Sequence, residues 1–330
     1  MHSHSQNQRR QLGQTQLHVG PISLGCWPLA GMTREGITHS MAVDTILAAL
    51  DAGITHLDTA YCYGESGESE RAIAQAIIGR RDQLVIAGKC GIHWLAGRQQ
   101  VVDGRPQTLR AEVETSLTRL GIDFLDLLYL HAPDPTLDIE VSAAGLFSLL
   151  EQGLVRSVGV SNVNVSELKR FSNCCPVSAC QSPYNMLQRG IEVDLVPWCL
   201  ENRVSVMVYW PLMKGLLSGS MDSTRHFPET DSRHKYPMFQ GEEFSRNLAF
   251  VDSLRPVAAR LQVKLSQLVL AWTAQQPGIT SVLVGATNPQ QARENAGALG
   301  IVFNPLDQRE IANAIASRGT AASRPAVKTR

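Results

Sequence analysis

Asp58, Tyr63, Lys89 and His131 are ionisable side chains of different kinds, and each stands at or just beyond the end of an apolar run: ITHLD, then LVIAGK, then FLDLLYL followed by His131. A lysine beside a tyrosine favours the phenolate, and an aspartate beside the lysine keeps the ammonium charged in a low-dielectric setting. Such a phenol is expected to give and take a proton near neutral pH. A histidine next to it can hold a carbonyl oxygen, so that charge developing there meets fixed donors. The set handles protons and polarises a carbonyl, but no member transfers a hydride, so a redox reaction needs a separate reductant. Taken singly, each residue has a plainer reading: an aspartate closing a turn, a lysine reaching solvent, a structural histidine. In HLDTAYCYGESGESE (56–70) two phenols compete for the acid's role. Tyr63, five residues past Asp58 and just before Gly64, is the expected acid; Tyr61 is expected to be wall or packing, and Ser66 or Ser69 to cap the next helix.

The elements that must position these groups follow from the hydrophobic pattern. Strand-like apolar runs at 22–25, 54–58, 84–89, 124–130, 155–160, 177–181, 204–209 and 279–284 alternate with stretches of helical period. Most are apolar on both faces, as parallel strands covered by helices must be. Val43, Ile46, Leu47 and Leu50 recur at helical spacing before Gly53, and Leu109, Val113, Leu117 and Leu120 do so before Gly121. Eight strand and helix units predict an α/β fold of the (β/α)8 TIM-barrel class, opened by a short N-terminal hairpin. The early G-x-G-x-x-G of a dinucleotide-binding open sheet is missing. Residues 212–247 form a long polar connection after the seventh strand, the length of a lid or binding loop. A single domain is expected over 1–317, with 318–330 a disordered tail.

Bulk properties narrow the partners. Over 330 residues the formal net charge is zero, with hydrophobic content of 44%, which gives no general attraction to nucleic acid or acidic membranes. The seven cysteines lack metal-ligand spacing, so neither a disulfide framework nor a metal site is expected, and a reducing cytoplasm fits best. The N-terminus MHSHSQNQRRQ has no apolar h-region, and no stretch has the roughly 18 apolar residues of a membrane span. A small-molecule partner is expected, for a monomer or homo-oligomer.

The segments carrying the four residues resemble the aldo-keto reductase family. GITHLDTAYCYGESGESE is similar to its G-x-x-x-x-D-T-A-x-x-Y-G-x-S-E segment, AGKCG to its third-strand lysine and LLYLHAPDP to its fourth-strand histidine. The likeness continues in order through VGVSN (158–162), QSPYN (181–185), VYWPLMKGLLSG (208–219) and VLVGATNPQQARENAGAL (282–299), nearly the whole chain. The segment DSRHKYPMFQGEEFSRN resembles one found in the bacterial and plant branches, and the chain is also similar to the potassium-channel β-subunit branch. The resemblance implies a nicotinamide-dependent oxidoreductase that reduces an aldehyde, ketone or sugar carbonyl, without metal or covalent intermediate. Tyr63 would be its general acid and base, tuned by Lys89 and Asp58, with His131 orienting the carbonyl. Ser161, Asn162 and Gln181 would hold the nicotinamide carboxamide and Trp210 would stack on its ring. Pro211, Leu212, Lys214, Gly215 and Arg233 would clasp the pyrophosphate, and Gly285, Thr287, Gln291, Glu294 and Asn295 the adenosine phosphate. Apart from the resemblance, Trp27 and Trp94 follow or flank strand ends, where an apolar substrate wall or ordinary rim packing is expected.

The phosphate end also has a physical reading. Asn288 is a good N-cap, Pro289 suits the first helical position, and Gln291 falls where it can complete a capping box. That helix start is a ready anion site. The chain departs from the family where Thr287, Gln291 and Ser220 replace cations that would pair with a 2′-phosphate, leaving Lys214, Arg233 and Arg293 as substitutes. The expectation leans to NADP(H) over NAD(H). Cys62 and Cys90 adjoin Tyr63 and Lys89, where a thiol beside a cation can be acidified; a small buried side chain is the plainer reading. Two other readings stand: a regulatory module that holds the nucleotide and turns over slowly, and a barrel aldolase using Lys89 as a Schiff base.

Overall fold

Each of the eight apolar runs becomes a strand of one closed parallel barrel in the computed structural model, which describes residues 9–32, 36–229 and 231–322. A hairpin of β1 (Arg10–Gln11) and β2 (His18–Val19) comes first. The barrel runs β3 (Ile22–Gly25), β4 (His56–Asp58), β5 (Val85–Cys90), then past a second hairpin, β6 (Ile92–Leu95) with β7 (Gln99–Val102), to β8 (Leu127–Leu130), β9 (Val158–Ser161), β10 (Ala179–Pro183), β11 (Ser205–Tyr209) and β12 (Ile279–Gly285). β12 pairs back onto β3 and closes the ring.

The helices follow the strands in turn: α1 (His39–Asp51), α2 (Glu68–Ala76), α3 (Pro106–Leu120), α4 (Ile139–Glu151), α5 (Val165–Ser172) and α6 (Leu195–Glu201). After β11 come α7 (Gly241–Ser253), α8 (Arg255–Arg260) and α9 (Leu265–Ala274), and after β12 come α10 (Pro289–Ala296) and α11 (Pro305–Arg318). Local chemistry sets several of these ends. Thr38 caps α1 through Met41 N, Asn164 and Glu167 close a capping box on α5, and α3 stops at Gly121 in the left-handed conformation. No serine caps α2, contrary to expectation. Its cap is Gly67 in the left-handed region, and the Glu68 carboxylate accepts from Ser66 N instead.

Strand period 2 sorts the side chains into two cores. Leu57, Ile86, Leu128, Val160, Cys180 and Val208 face the helices, in the larger cluster. Val85, Ala87, Leu127, Tyr129, Ala179, Met207 and Leu283 face the barrel axis, where Leu12 and Val19 of the first hairpin plug the bottom. Gly159 leaves room for the Tyr129 ring, since a Cβ there would lie 2.6 Å from it. The next inward positions upward from these layers are Asp58, Lys89, His131, Ser161, Gln181 and Tyr209, so the barrel pattern itself gathers polar groups at its C-terminal mouth.

The expected tail boundary falls on a residue that belongs to the fold. Arg318 ends α11, is 5% exposed, donates to Asn247 Oδ1 at 2.7 and 2.9 Å and pairs with Glu243. Ala322 N also donates to Glu243, at 2.7 Å, so the chain is tied down as far as Ala322; residues 323–330 lie outside the described residues. No described helix is long and apolar enough to cross a membrane.

Candidate active site

Lys89 spends its ammonium hydrogens on three acceptors: Asp58 Oδ1 at 2.5 Å, the Thr59 carbonyl at 2.8 Å and Tyr63 Oη at 3.1 Å. With Asp58 3% and Lys89 2% exposed, the ion pair is buried and fully hydrogen-bonded, as burial of charge requires. Because Lys89 donates to Tyr63, it occupies a lone pair of the phenol oxygen. The phenol's own hydrogen must therefore point away from Lys89. The same saturation counts against the Schiff-base reading, since a nucleophilic amine must first lose a proton that Asp58 holds. The turn after Tyr63 needs Gly64, whose φ is +100° and where a Cβ would collide with the Glu68 carboxylate.

Protonation differs from the expected tuning. Burial, reinforced by the Asp58 carboxylate, pushes the Tyr63 phenol well above its ordinary value rather than toward neutral pH. Asp58 compensates the lysine charge at 2.5 Å, so desolvation decides the direction. His131 is pushed down to about 3, by burial first and Lys89 second, which keeps its imidazole neutral. Its ring lies edge-on to Tyr63 with centroids 5.9 Å apart, and its Nδ1 is 3.6 Å from Cys62 Sγ. Burial raises the Cys62 thiol to about 12 and the Cys90 thiol well above its usual value, so neither is acidified. Cys90 Sγ donates to the Tyr129 carbonyl, at 3.7 Å.

The remaining mouth residues form one network with the four. Gln181 Nε2 donates to Asp58 Oδ2 at 2.8 Å, which leaves its Oε1 as an acceptor for an amide ligand. Asn162, left-handed at φ 60°, donates to the His131 carbonyl at 2.8 Å and to Ser161 Oγ at 3.2 Å. This cluster of amide and hydroxyl groups fits a primary carboxamide such as that of nicotinamide. Tyr209, which the sequence reading passed over, donates its hydroxyl to Asn162 Oδ1 at 2.7 Å. Trp210 follows on the opposite parity and packs edge-on against Tyr236, with centroids 5.6 Å apart. Strand alternation would have singled out Tyr209 as the inward ring.

Both expected wall tryptophans flank Tyr63. Trp27 meets its ring edge-on at 5.0 Å, and Trp94, on β6, donates Nε1 to the Cys62 carbonyl at 2.8 Å. Tyr61 is turned to structural use. Its ring lies under the Arg119 guanidinium at 4.6 Å and its carbonyl accepts from Arg119. An open cavity of about 300 Å³ borders this side, lined by Ala30, Gly31, Glu65, Ser66, Glu68 and Arg98 among others.

The phosphate-end residues sit on two separate segments. Beyond Pro211 and Leu212, Lys214 and Gly215 are both left-handed in the 3-10 turn Met213–Ser218, and Lys214 Nζ lies 4.8 Å from the Tyr236 ring centroid. Arg233 is held by both oxygens of Asp231. At α10, Asn288 caps Gln291 N as expected. Gln291 does not complete a capping box; its Oε1 accepts from Thr287 N and Oγ1 at 2.9 and 3.0 Å. Asn295 Nδ2 donates to the Gly285 carbonyl at 3.1 Å, and Glu294 binds Lys264 and Gln290. Among the described residues no His, Cys, Asp and Glu cluster could hold a metal, and all seven cysteines are free.

The profile of the Aldo/keto reductase family matches residues 21–316. The chain belongs to that family. This aldo-keto reductase is 34% identical over 310 residues to the aldo-keto reductase YhdN of Bacillus subtilis (strain 168), covering 91% of each chain. It is 33% identical over 322 residues to a protein of Escherichia coli (strain K12) named NADH-specific methylglyoxal reductase, covering 92% of this chain and 98% of that one. Its fold superposes on the glycerol dehydrogenase from Gluconobacter oxydans with a TM-score of 0.89 at 30% identity, over 96% of this chain and 98% of the other. An aldo-keto reductase from Klebsiella pneumoniae, solved with NADPH, gives a TM-score of 0.71 at 26% identity over 93% and 94%. The protein is thus an NAD(P)H-dependent oxidoreductase acting on carbonyl compounds.

Proposed function

We propose that Tyr63 is the general acid of carbonyl reduction and the general base of the reverse oxidation. The observation that carries this is the Lys89 Nζ to Tyr63 Oη hydrogen bond of 3.1 Å, within an ammonium whose other donors go to Asp58 and Thr59. A nicotinamide, when bound, would supply the hydride. Tyr63 gives its proton to the carbonyl oxygen, the neutral His131 donates a second hydrogen bond to that oxygen, and Lys89 steadies the phenolate that results. Asp58 pairs with Lys89 and is itself held by Gln181. Ser161, Asn162 and Gln181 would hold the carboxamide, with Tyr209 bound to Asn162 beside them, and the turn at 211–215 and Arg233 would clasp the pyrophosphate.

The cofactor preference we infer is NADH at least as readily as NADPH, which revises the lean toward NADP(H). Thr287 and Gln291, both uncharged, bind each other, and Arg233 is engaged by Asp231. The substrate class we propose is a short oxygen-rich aldehyde or ketone, or the matching polyol, in keeping with the names of the methylglyoxal and glycerol relatives. Seven free cysteines suit a reducing cytoplasm. Titration with NADH and NADPH, followed by turnover of hydroxylated and simple alkyl carbonyls, tests the reading. NADH binding at least as tight as NADPH binding and faster turnover of hydroxylated carbonyls are expected; tight binding of both nucleotides with no turnover would instead favour a nucleotide-holding module.

A further inference from the structure

We propose that Cys62 is a positioning residue that sets the tautomer of His131, an inference that rests on His131 donating to the substrate carbonyl. A neutral imidazole carries its one hydrogen on either ring nitrogen, and which one is fixed by the partner of the other. His131 Nδ1 has Cys62 Sγ at 3.6 Å, on the loop that delivers Tyr63. Cys62 is 1% exposed, and its thiol stays protonated because burial raises it to about 12. A thiol is weak both as donor and as acceptor, but an unprotonated imidazole nitrogen is a strong acceptor, so S–H···N is the better of the two arrangements. The S–H therefore donates to Nδ1, which places the imidazole hydrogen on Nε2.

The peptide around Cys62 is fixed independently of this contact. Its carbonyl accepts from Trp94 Nε1 at 2.8 Å, and Tyr63 N donates to the Ala60 carbonyl at 3.0 Å. His131 is held at its own backbone, where N donates to the Cys90 carbonyl at 2.9 Å and the carbonyl accepts from Asn162. The ring thus has a fixed base, and the thiol selects which of its nitrogens is the donor. One loop delivers both donors for the carbonyl oxygen: Tyr63 directly, and His131 Nε2 through its neighbour Cys62. The opposite tautomer would present a lone pair to the oxygen, a repulsive contact in place of a hydrogen bond.

The test is nitrogen-15 NMR of the full-length protein labelled at histidine, with His131 assigned by its loss in His131→Asn. In the unsubstituted protein and in Cys62→Ser, Nδ1 is expected unprotonated and Nε2 protonated. In Cys62→Ala the Nδ1–H form should appear, and kcat should fall about tenfold, one hydrogen bond's worth, with nucleotide affinity unchanged and Cys62→Ser restoring most of the loss. An Nδ1–H signal for His131 in the unsubstituted protein would overturn the proposal without any variant having to fold. Cys62→Ala with an unchanged Nε2–H signal and unchanged kcat would overturn it as well. Because the tautomer is read without turnover, the expected spectra in a protein that reduces no carbonyl would refute the catalytic reading and leave this one standing.

Discussion

The floor of the barrel mouth and the rim that faces the far end of the nucleotide are built on opposite terms. At the floor, Asp58, Lys89, Tyr63 and Gln181 form one hydrogen-bonded network with His131 edge-on to Tyr63, on inward positions of β4, β5 and β10 and on the loops that follow β4 and β8. At the rim, Arg233 pairs with Asp231 and Lys264 with Glu294, on loops and helix ends. Moving one floor group strands a buried charge. Moving one rim group frees a neighbour that water can satisfy. On the function proposed above, the chemistry is fixed by the scaffold, whereas the choice of nucleotide rests on replaceable surface pairs.

That contrast is broken first by attacking the floor. Lys89→Met should lower kcat/KM on the order of 10³-fold while nucleotide affinity changes little, because it leaves Asp58 unpaired and the Tyr63 oxygen without its donor. Steady-state kinetics beside a fluorescence titration checks this, and a comparable loss of binding would mean that the two regions are not separable. At the rim, joint Thr287→Arg and Gln291→Arg should raise the NADPH to NADH affinity ratio about tenfold without changing kcat. Arg233→Ala should weaken either nucleotide by roughly threefold, with its effect shrinking as salt is added.

The floor should also leave a signature in stability that the rim does not. His56, fully buried one inward position below Asp58, is pushed down from 6.5 to about 4 by burial. Between those values the unfolded chain binds a proton that the folded one refuses. Stability should therefore fall as pH drops from 6.5 toward 4, by up to roughly 3 kcal/mol from this group, and His56→Gln should flatten the slope in urea unfolding. The raised Tyr63 phenol predicts a further asymmetry. Reduction needs the protonated phenol and should hold its rate up to pH 10, whereas oxidation needs the phenolate and should climb with pH across that range.

Much of the floor was legible in the sequence, and the reason is geometric. Strands buried on both faces read as apolar runs, so a polar residue at the end of one stands out, as Asp58, Lys89 and His131 do. The same alternation points to Tyr209, yet the likeness of VYWPL to a family segment drew attention to Trp210 instead. The direction of the Tyr63 shift was not legible, because it depends on how closely Asp58 cancels Lys89 and how fully water is excluded. Nor was the Cys62 to His131 contact, made across 69 positions in the chain. The β6 and β7 hairpin carrying Trp94 escaped notice because its strands are short and exposed at one end. At the chain's end, polar composition suggested a tail from 318, but Arg318 finds Glu243 and Asn247 on a helix far away in sequence.

The central claim is that Tyr63, and not the neighbouring Tyr61, delivers the proton. Single-turnover oxidation of bound reduced nucleotide by a carbonyl substrate, followed by absorbance in Tyr63→Phe and Tyr61→Phe, tests it most directly. Tyr63→Phe should bind nucleotide normally and lose the fast absorbance change, while Tyr61→Phe retains it. A Tyr63→Phe protein that oxidises the nucleotide at the original rate, or a Tyr61→Phe protein that alone loses it, would contradict the account.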